Sequence, residues 1–359
     1  MHVLDQWTVN GTVQRVLKTS SNDDEYLVED EVLSTVPHVF IGTFMLVALS
    51  ASILSNMLVI MTYIRFRSLR TSSNLFITNL AVADLLMSSV DFPLFVASSY
   101  SSRWIFGSTV CLMYGATTGV AGLVTINTLA AISLDRFTAV VTRLNPRHGL
   151  SKTKTIICII LIWVYSGAWA CAPLFGWSKY MLERIGTTCT FDYLTQTWKN
   201  RSFVLSILVG NFVLPLSVII YSYTRILTAM ASIRRGLQSH SAEISIGTRR
   251  QRYFFKAEVK TTIIVIVIIL FFCLSWMPYV IVALIGLFGD QSVITPLTAV
   301  IPSIVAKTST VSNPILYSIS HPKVRKRIKR LFSSVFRQGS LRNSNNSPSP
   351  SQEVPQFFL

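Results

Sequence analysis

Charge is what this chain has least of. Only 13% of its 359 residues are Asp, Glu, Lys or Arg, against roughly a quarter in an ordinary soluble domain. With 51% hydrophobic residues, a soluble globule of this composition would lack the polar surface to cover itself. Low hydrophobicity, the mark of intrinsic disorder, is missing as well, so the chain as a whole is not disordered. Cysteine is sparse, with five residues, which excludes a small disulfide framework. Acidic residues are scarcer than basic ones, 16 against 32, and the formal net charge is +16. An excess of that sign often serves nucleic-acid binding. Here the basic residues lie between long apolar runs, which points to a polytopic membrane protein and away from a nucleic-acid partner.

A bilayer core of about 30 Å needs roughly 20 apolar residues per helix. Seven such stretches occur, at about 37–64, 74–99, 108–141, 155–176, 203–230, 259–288 and 294–318. Runs this long and uniformly apolar predict helices and not a barrel. The fold class is therefore an all-α membrane protein, a seven-helix bundle. Lys and Arg set the orientation: 24 of the 32 fall in the segments after the first, third, fifth and seventh spans. That side is read as cytoplasmic, with the N-terminus outside, in the plasma membrane. Residues 1–36 form an extracellular segment that carries seven acids against Arg15 and Lys18. The first span is expected to act as the insertion signal. Asn10 opens a glycosylation sequon, and a second begins at Asn200, both on the outer side. Residues 37–318 form the bundle. Over 319–336, Val324, Ile328, Leu331, Phe332 and Val335 recur at helical spacing among Lys and Arg, which predicts an amphipathic helix on the anionic inner leaflet. The Ser-, Asn- and Pro-rich segment 337–359 is expected to be disordered.

An ionisable group in the bilayer core costs a few kcal/mol, so each one calls for a functional explanation. Lys307 sits in the middle of the seventh span, too deep for its stem to reach water. A buried amine must be paired, neutral or covalently modified, and it is suited to forming a Schiff base with an aldehyde. Asp84, Asn56 and Asn313 could form a polar cluster, as a structural knot or as a switch. Asp91 lies two turns beyond Asp84 on the same face and is a candidate partner for Lys307. Asp135 and Arg136 end the third span. Arg136 and Glu258 could pair across the bundle, or each could sit in the headgroup region. Cys111 and Cys189 lie on the outer, oxidising side, where a bridge is expected; Cys158, Cys171 and Cys273 read as packing residues. Pro173, Pro215, Pro278 and Pro314 should kink helices or mark a change of helical geometry. No metal site is expected.

Together these residues resemble a rhodopsin-like G-protein-coupled receptor. The resemblance runs from about 37 to 332. It rests on Asn56, on Asn79-Leu80-Ala81-Val82-Ala83-Asp84, on Asp135-Arg136-Phe137, on Trp276-Met277-Pro278 and on Asn313-Pro314-Ile315-Leu316-Tyr317. Within that family the chain is similar to opsins, since Lys307 stands six residues before Asn313. Leu274-Ser275-Trp276-Met277-Pro278-Tyr279, Ile304-Val305-Ala306-Lys307-Thr308 and His321-Pro322-Lys323-Val324-Arg325 look most like melanopsins and rhabdomeric opsins. Phe137 replaces the common Tyr of its triplet, and Val324 replaces the usual aromatic at the start of the eighth helix.

The resemblance implies a light sensor, not an enzyme. Lys307 would bind retinal, 11-cis in the dark and all-trans after light, through a Schiff base. Tyr114 stands where vertebrate visual opsins carry a Glu counterion. The resemblance then points to Glu183, six residues before Cys189, with Asp91 as alternative or co-counterion. Thr118 stands where amine receptors carry an acid, which argues against an amine ligand. Trp276, Tyr279 and Ser303 complete the expected pocket with Tyr114 and Thr118. The resemblance implies an activation switch of Asp135, Arg136, Glu258, Asn313, Pro314, Tyr317, Asp84 and Asn56, coupling to a heterotrimeric G protein of Gq type, bistability, and shut-off by arrestin and a receptor kinase. A retinal photoisomerase without G-protein signalling, a receptor for a non-retinal ligand, and a transporter or channel are the alternatives; Lys307 and the switch motifs argue against each.

Overall fold

The computed structural model describes residues 2–9, 12–18, 27–28, 35–142, 150–239 and 246–320, with side chains for 37–141, 150–232, 235, 259 and 262–314. Three antiparallel strands, β1 (His2–Val9), β2 (Thr12–Lys18) and β3 (Leu27–Val28), precede the bundle; composition suggests only a polar segment there. Seven helices follow. They are α1 (Thr35–Arg65), α2 (Ser72–Tyr100), α3 (Gly107–Phe137) and α4 (Lys152–Cys171). Next comes α5, which runs Trp198–Leu208, passes through a π-helical turn at Val209–Val213 and continues as Leu214–Ser239. The last two are α6 (Ile246–Phe288) and α7 (Pro296–Ser320). Thr71, Ser151 and Thr197 cap α2, α4 and α5, each side chain accepting from a backbone N–H three residues on. Such caps satisfy amides that the helix itself leaves unpaired.

The bundle is inverted relative to a soluble protein. Phe40, Leu54 and Leu274 face outward at 75%, 71% and 71% exposure, as lipid contact requires. The interior holds Asp84, Asp91, Asn56, Ser52, Ser88 and Lys307. Six helices, among the described residues, are long and apolar enough to cross a membrane. The remaining long helix, α7, gives its buried face to Ser303, Lys307, Thr310 and Asn313, which lowers its hydropathy. It packs against α1, α2 and α6, within the same bundle.

The sequence-based spans match these helices with shifted ends. The sixth is expected at 259–288, yet α6 starts at Ile246. Its first turns are polar, and counting apolar residues passes over them. The fourth gives way at Ala172–Phe175 to a 3₁₀ turn. Pro173 opens that turn, where a missing N–H costs nothing. Pro215 follows the π turn. A proline there has no N–H for the carbonyl of Asn211 and its ring crowds that carbonyl, which accounts for the widened turn at this place. Pro278 and Pro314 lie inside helices as expected, and so do Pro93 and Pro302, which the sequence did not single out. Asn10, the proposed amphipathic helix 319–336 beyond Ser320, the tail 337–359, and the side chains of Glu258 and Tyr317 lie outside what the structure describes.

Between α4 and α5, β4 (Tyr180–Leu182) and β5 (Cys189–Phe191) form an antiparallel hairpin. A Cys111–Cys189 disulfide ties it to α3. Asp192 holds the segment after it, accepting from the amides of Leu194 (3.0 Å) and Thr195 (2.8 Å), with Lys179 Nζ 3.5 Å away. Burial opposes the Asp192 charge, but the hydrogen bonds from Thr195 and Leu194 and the Lys179 cation outweigh it and hold the carboxyl below its usual range. A depressed carboxyl contributes stability above its unfolded value, roughly 3.9, and that contribution is lost as pH falls through the lower folded value. Amides of Leu194 and Thr195 should therefore lose hydrogen-exchange protection on acidification, and Asp192→Asn should be less protected at neutral pH and nearly pH-independent.

Candidate functional site

Beneath the hairpin lies a cavity walled by α3, α5, α6 and α7 and roofed by Tyr180, Thr190 and Phe191. It offers about 1140 Å³ of unfilled space, open ends included. Most of its wall is apolar, from Leu123, Ile126, Ile207, Phe212, Phe272 and Leu284 among others.

Lys307 reaches this cavity from α7 and is 4% exposed. Its Nζ donates to Ser303 Oγ at 3.2 Å, one helical turn back, and lies 5.4 Å from the centroid of the Tyr114 ring, within cation–π range. Ser303 also stands beside the carboxylate of Glu183 and helps to hold it charged. Glu183 follows β4, in the turn of the hairpin, and is itself buried. Thr188 donates to its Oε2, and Gly186, at φ +75°, lets the chain turn back between them. Burial pushes the Glu183 carboxyl up from its ordinary range, while the Lys307 charge, the hydrogen bond from Thr188 and the nearby Ser303 hydroxyl pull it down. Asp91, fully buried on α2, was the other candidate partner for Lys307. Instead of a direct ion pair it accepts a hydrogen bond from Thr118 Oγ1 at 2.5 Å across to α3. The amine thus meets one carboxylate through Ser303, while the second is held to one side by Thr118.

Trp276 stands in the wall, stacked on Phe272 at 5.6 Å and edge-on to Tyr279 at 6.4 Å. The Tyr279 hydroxyl bonds Thr190 in the roof. Gly122 is the counterpart of Trp276 on α3: a Cβ there would lie 2.7 Å from the indole Cη2. An indole cannot bend away, so Gly122→Ala should push Trp276 into the cavity at a cost of about 1–3 kcal/mol. A drop of several degrees in thermal midpoint checks this. Tyr180 is a site residue that sequence reasoning missed. It lines the cavity, donates to the Ala170 carbonyl at 2.9 Å and fills the space that Gly115 leaves, where a Cβ would be 2.3 Å away. The small residues Gly115, Gly119 and Gly122, spaced along one face of α3, were the available signal.

The profile of the 7 transmembrane receptor (rhodopsin family) matches residues 55–317. The chain belongs to this receptor family. Among curated relatives, the receptor is 37% identical over 297 residues to "Rhodopsin, GQ-coupled" from Mizuhopecten yessoensis, covering 80% of this chain and 58% of that one. It is 40% identical over 289 residues to melanopsin from Phodopus sungorus, covering 80% and 61%. It thus spans about three fifths of the length of these relatives. Among solved structures it matches squid rhodopsin with a TM-score of 0.80 at 32% identity, over 90% of this chain and 95% of that one. These relatives and that structure are opsins, which are signalling receptors.

The receptor's polar interior forms a second, deeper group. Asn313 Nδ2 donates to Asp84 Oδ2 at 3.1 Å, and Asn56 Nδ2 donates to the Thr310 carbonyl at 3.0 Å. Ser52 links Ser88 (2.5 Å) and Thr310 (3.2 Å). Asn56, Asp84 and Asn313 were legible in the sequence; Ser52, Ser88 and Thr310, serving as hydrogen-bond links between helices, were not. Pro314, also buried, follows Asn313 in α7. At the C-terminal end of α3, Asp135 Oδ2 accepts from Arg136 and from Ser73, both at 2.7 Å, and its Oδ1 accepts from the Leu150 amide at 3.0 Å. Arg136 also donates to Ser73. Asp135 thereby ties α3, α2 and the loop before α4 together.

Proposed function

We propose that this receptor is a light sensor that binds retinal at Lys307 and signals through a heterotrimeric G protein. The observation that carries this is the buried Lys307 amine in a mostly apolar cavity, joined through Ser303 to the buried carboxylate of Glu183. The residues fit the group: an amine at one place in the cavity for an aldehyde, an apolar wall for a polyene, and an anion for positive charge on nitrogen. Retinal, when bound, supplies light absorption and a change of shape. The chain's own residues do the rest. Lys307 provides the nucleophilic nitrogen and holds the charge. Glu183 balances that charge, and Ser303 lies between them in position to pass a proton. Asp91 adds a second negative centre whose orientation Thr118 sets, so the two acids act as a coupled pair. Trp276, backed by Gly122 and followed by Pro278, is the wall against which a change of ligand shape presses, and α6 is the element it would move. Arg136, released from Asp135 and Ser73, would open the cytoplasmic face to the G protein.

A counterion outside α3 favours a stable photoproduct, hence bistability with 11-cis dark and all-trans light states. The relative described as GQ-coupled supports the Gq class. The plasma membrane, with the N-terminus outside, follows from the basic cytoplasmic segments. Arrestin and a receptor kinase are the expected shut-off partners. Expressing the protein, adding 11-cis-retinal and recording a light-minus-dark spectrum with a calcium readout tests the proposal. A band without a calcium response would leave a photoisomerase; absence of any band would remove retinal.

A further inference from the structure

One motif in the sequence is left without a role. Asn200-Arg201-Ser202 is a glycosylation sequon, and the orientation read from loop charge puts it outside. The fold uses the same side chain for something else. Asn200 stands in the first turn of α5, where the Thr197 side chain caps the helix by accepting from its backbone N–H. The residue is buried, at 5% exposure, and both ends of its amide are engaged. Nδ2 donates to the Asp192 carbonyl at 2.6 Å and to the Thr195 carbonyl at 2.9 Å. Oδ1 accepts from Ser178 Oγ at 2.6 Å.

These partners flank the roof of the cavity. Ser178 comes two residues before β4, and Asp192 directly follows β5. The Asp192 N–H donates to the Lys179 carbonyl at 2.9 Å and closes the base of the hairpin. A single side chain of α5 therefore grips both flanks of that base. The tip of the hairpin carries Glu183, whose N–H donates to the Thr188 carbonyl at 2.8 Å. Cys189, at the start of β5, is tied to α3 by the disulfide. Single hydroxyl bonds from Tyr180 to the Ala170 carbonyl and between Thr190 and Tyr279 add to that tie. Without Asn200 the base would be free to pivot about these points, and the tip would move with it. An N-linked sugar takes the place of one hydrogen on Nδ2. Both of those hydrogens are in use, and a buried nitrogen leaves the sugar no space, so glycan and grip exclude one another.

We propose that Asn200 is a positioning residue: it latches the roof hairpin to α5, holds Glu183 beside Ser303 and Lys307, and stays free of sugar in the folded receptor. The consequence for Lys307 rests on the retinal reading; the latch and the bare sequon do not.

The test uses the full chain, made in a glycosylating host and purified in detergent as monodisperse protein. An N-glycosidase converts a glycosylated Asn to Asp. The peptide that holds Asn200 should keep its mass after this treatment, and Ser202→Ala, which deletes the sequon, should run at the same mobility as the wild type. Sugar on Asn200 in folded protein would overturn the proposal. Hydrogen exchange is then read without retinoid. Asn200→Ala should speed exchange at the Glu183, Gly186 and Asp192 amides, which bond within the hairpin, by about tenfold or more, as the loss of several buried hydrogen bonds provides. Thr197→Ala removes only the α5 cap and should leave those amides slow. Equal exchange in the two variants would overturn the latch. With 11-cis-retinal, the pH at which the visible band converts to a near-ultraviolet one should fall in Asn200→Ala and hold in Thr197→Ala. A midpoint that holds in both would overturn the link to Glu183. Should Asn200→Ala fail to fold, Ser178→Ala, which removes one of the three bonds, takes its place and should show the same changes at smaller size. No band in the wild type would overturn the Lys307 reading and leave the sugar and exchange measurements to decide the latch.

Discussion

Lys307→Ala should form no pigment at all. Protein carrying it and incubated with 11-cis-retinal should show no light-minus-dark band, no acid-trapped adduct and no light response, where the wild type shows all three. The effect is expected to be complete because an aldehyde needs a primary amine, and among the described residues that line the cavity Lys307 is the one lysine. Removing the amine leaves the buried Glu183 carboxylate without its cation, a destabilising change, so the thermal midpoint and expression are measured alongside; the hydrogen bond lost is the one to Ser303 at 3.2 Å. Ser303 keeps its contact with Glu183. Expression near wild-type level with no band would place the chemistry at Lys307. A band that persists would overturn the reading.

Glu183→Gln should have the second largest effect. A buried cation loses several kcal/mol when its anion is removed, and shifts of about 3 units are ordinary for such pairs. The pH at which the visible band converts to a near-ultraviolet one should fall by about that much, which is about 4 kcal/mol at 1.36 kcal/mol per unit. At neutral pH the variant should therefore absorb in the near ultraviolet and regain the visible band on acidification. Asp91→Asn should move the midpoint less, by about 1 unit, because Asp91 is engaged by Thr118 at 2.5 Å and has no bridge to the amine like that of Ser303. Spectroscopic titration of both variants decides the order. A larger effect at Asp91 would reverse the assignment of main counterion, and no effect at either would reject both.

The contrast between these two acids shows where sequence reading reaches its end. Lys307 stood out in the sequence because a lysine mid-span has no ordinary explanation, and Asp91 stood out for the same reason. Their depth follows from counting residues along a helix of fixed rise. Glu183 was reached only through resemblance, since an acid in a polar outer loop is unremarkable by composition. Its burial at 4% exposure is a product of the hairpin folding back under its own disulfide. Ser303 joined the expected pocket through resemblance alone; its place between Lys307 and Glu183 needed coordinates. Tyr180 gave no signal of its own, because a tyrosine in a loop has many ordinary uses, and the sequon at Asn200 points to a sugar and not to the hydrogen bonds its amide makes.

From its residues alone this protein was a seven-helix membrane bundle, with its basic segments on one side and one buried lysine. Those features are local. Apolar run length, loop charge and residue depth depend on neighbours along the chain and on the bilayer. What only the tertiary structure decided was company: that Ser303 stands between Lys307 and Glu183, that Thr118 takes Asp91, that Gly122 makes room for Trp276, and that Asn200 grips both flanks of the hairpin. Glu183 and Lys307 lie on different elements, far apart in sequence, and the first is brought over the second by a disulfide to α3 and a glycine turn. Through-space contacts of that kind are set by packing and chain closure, and no periodicity in the sequence encodes them.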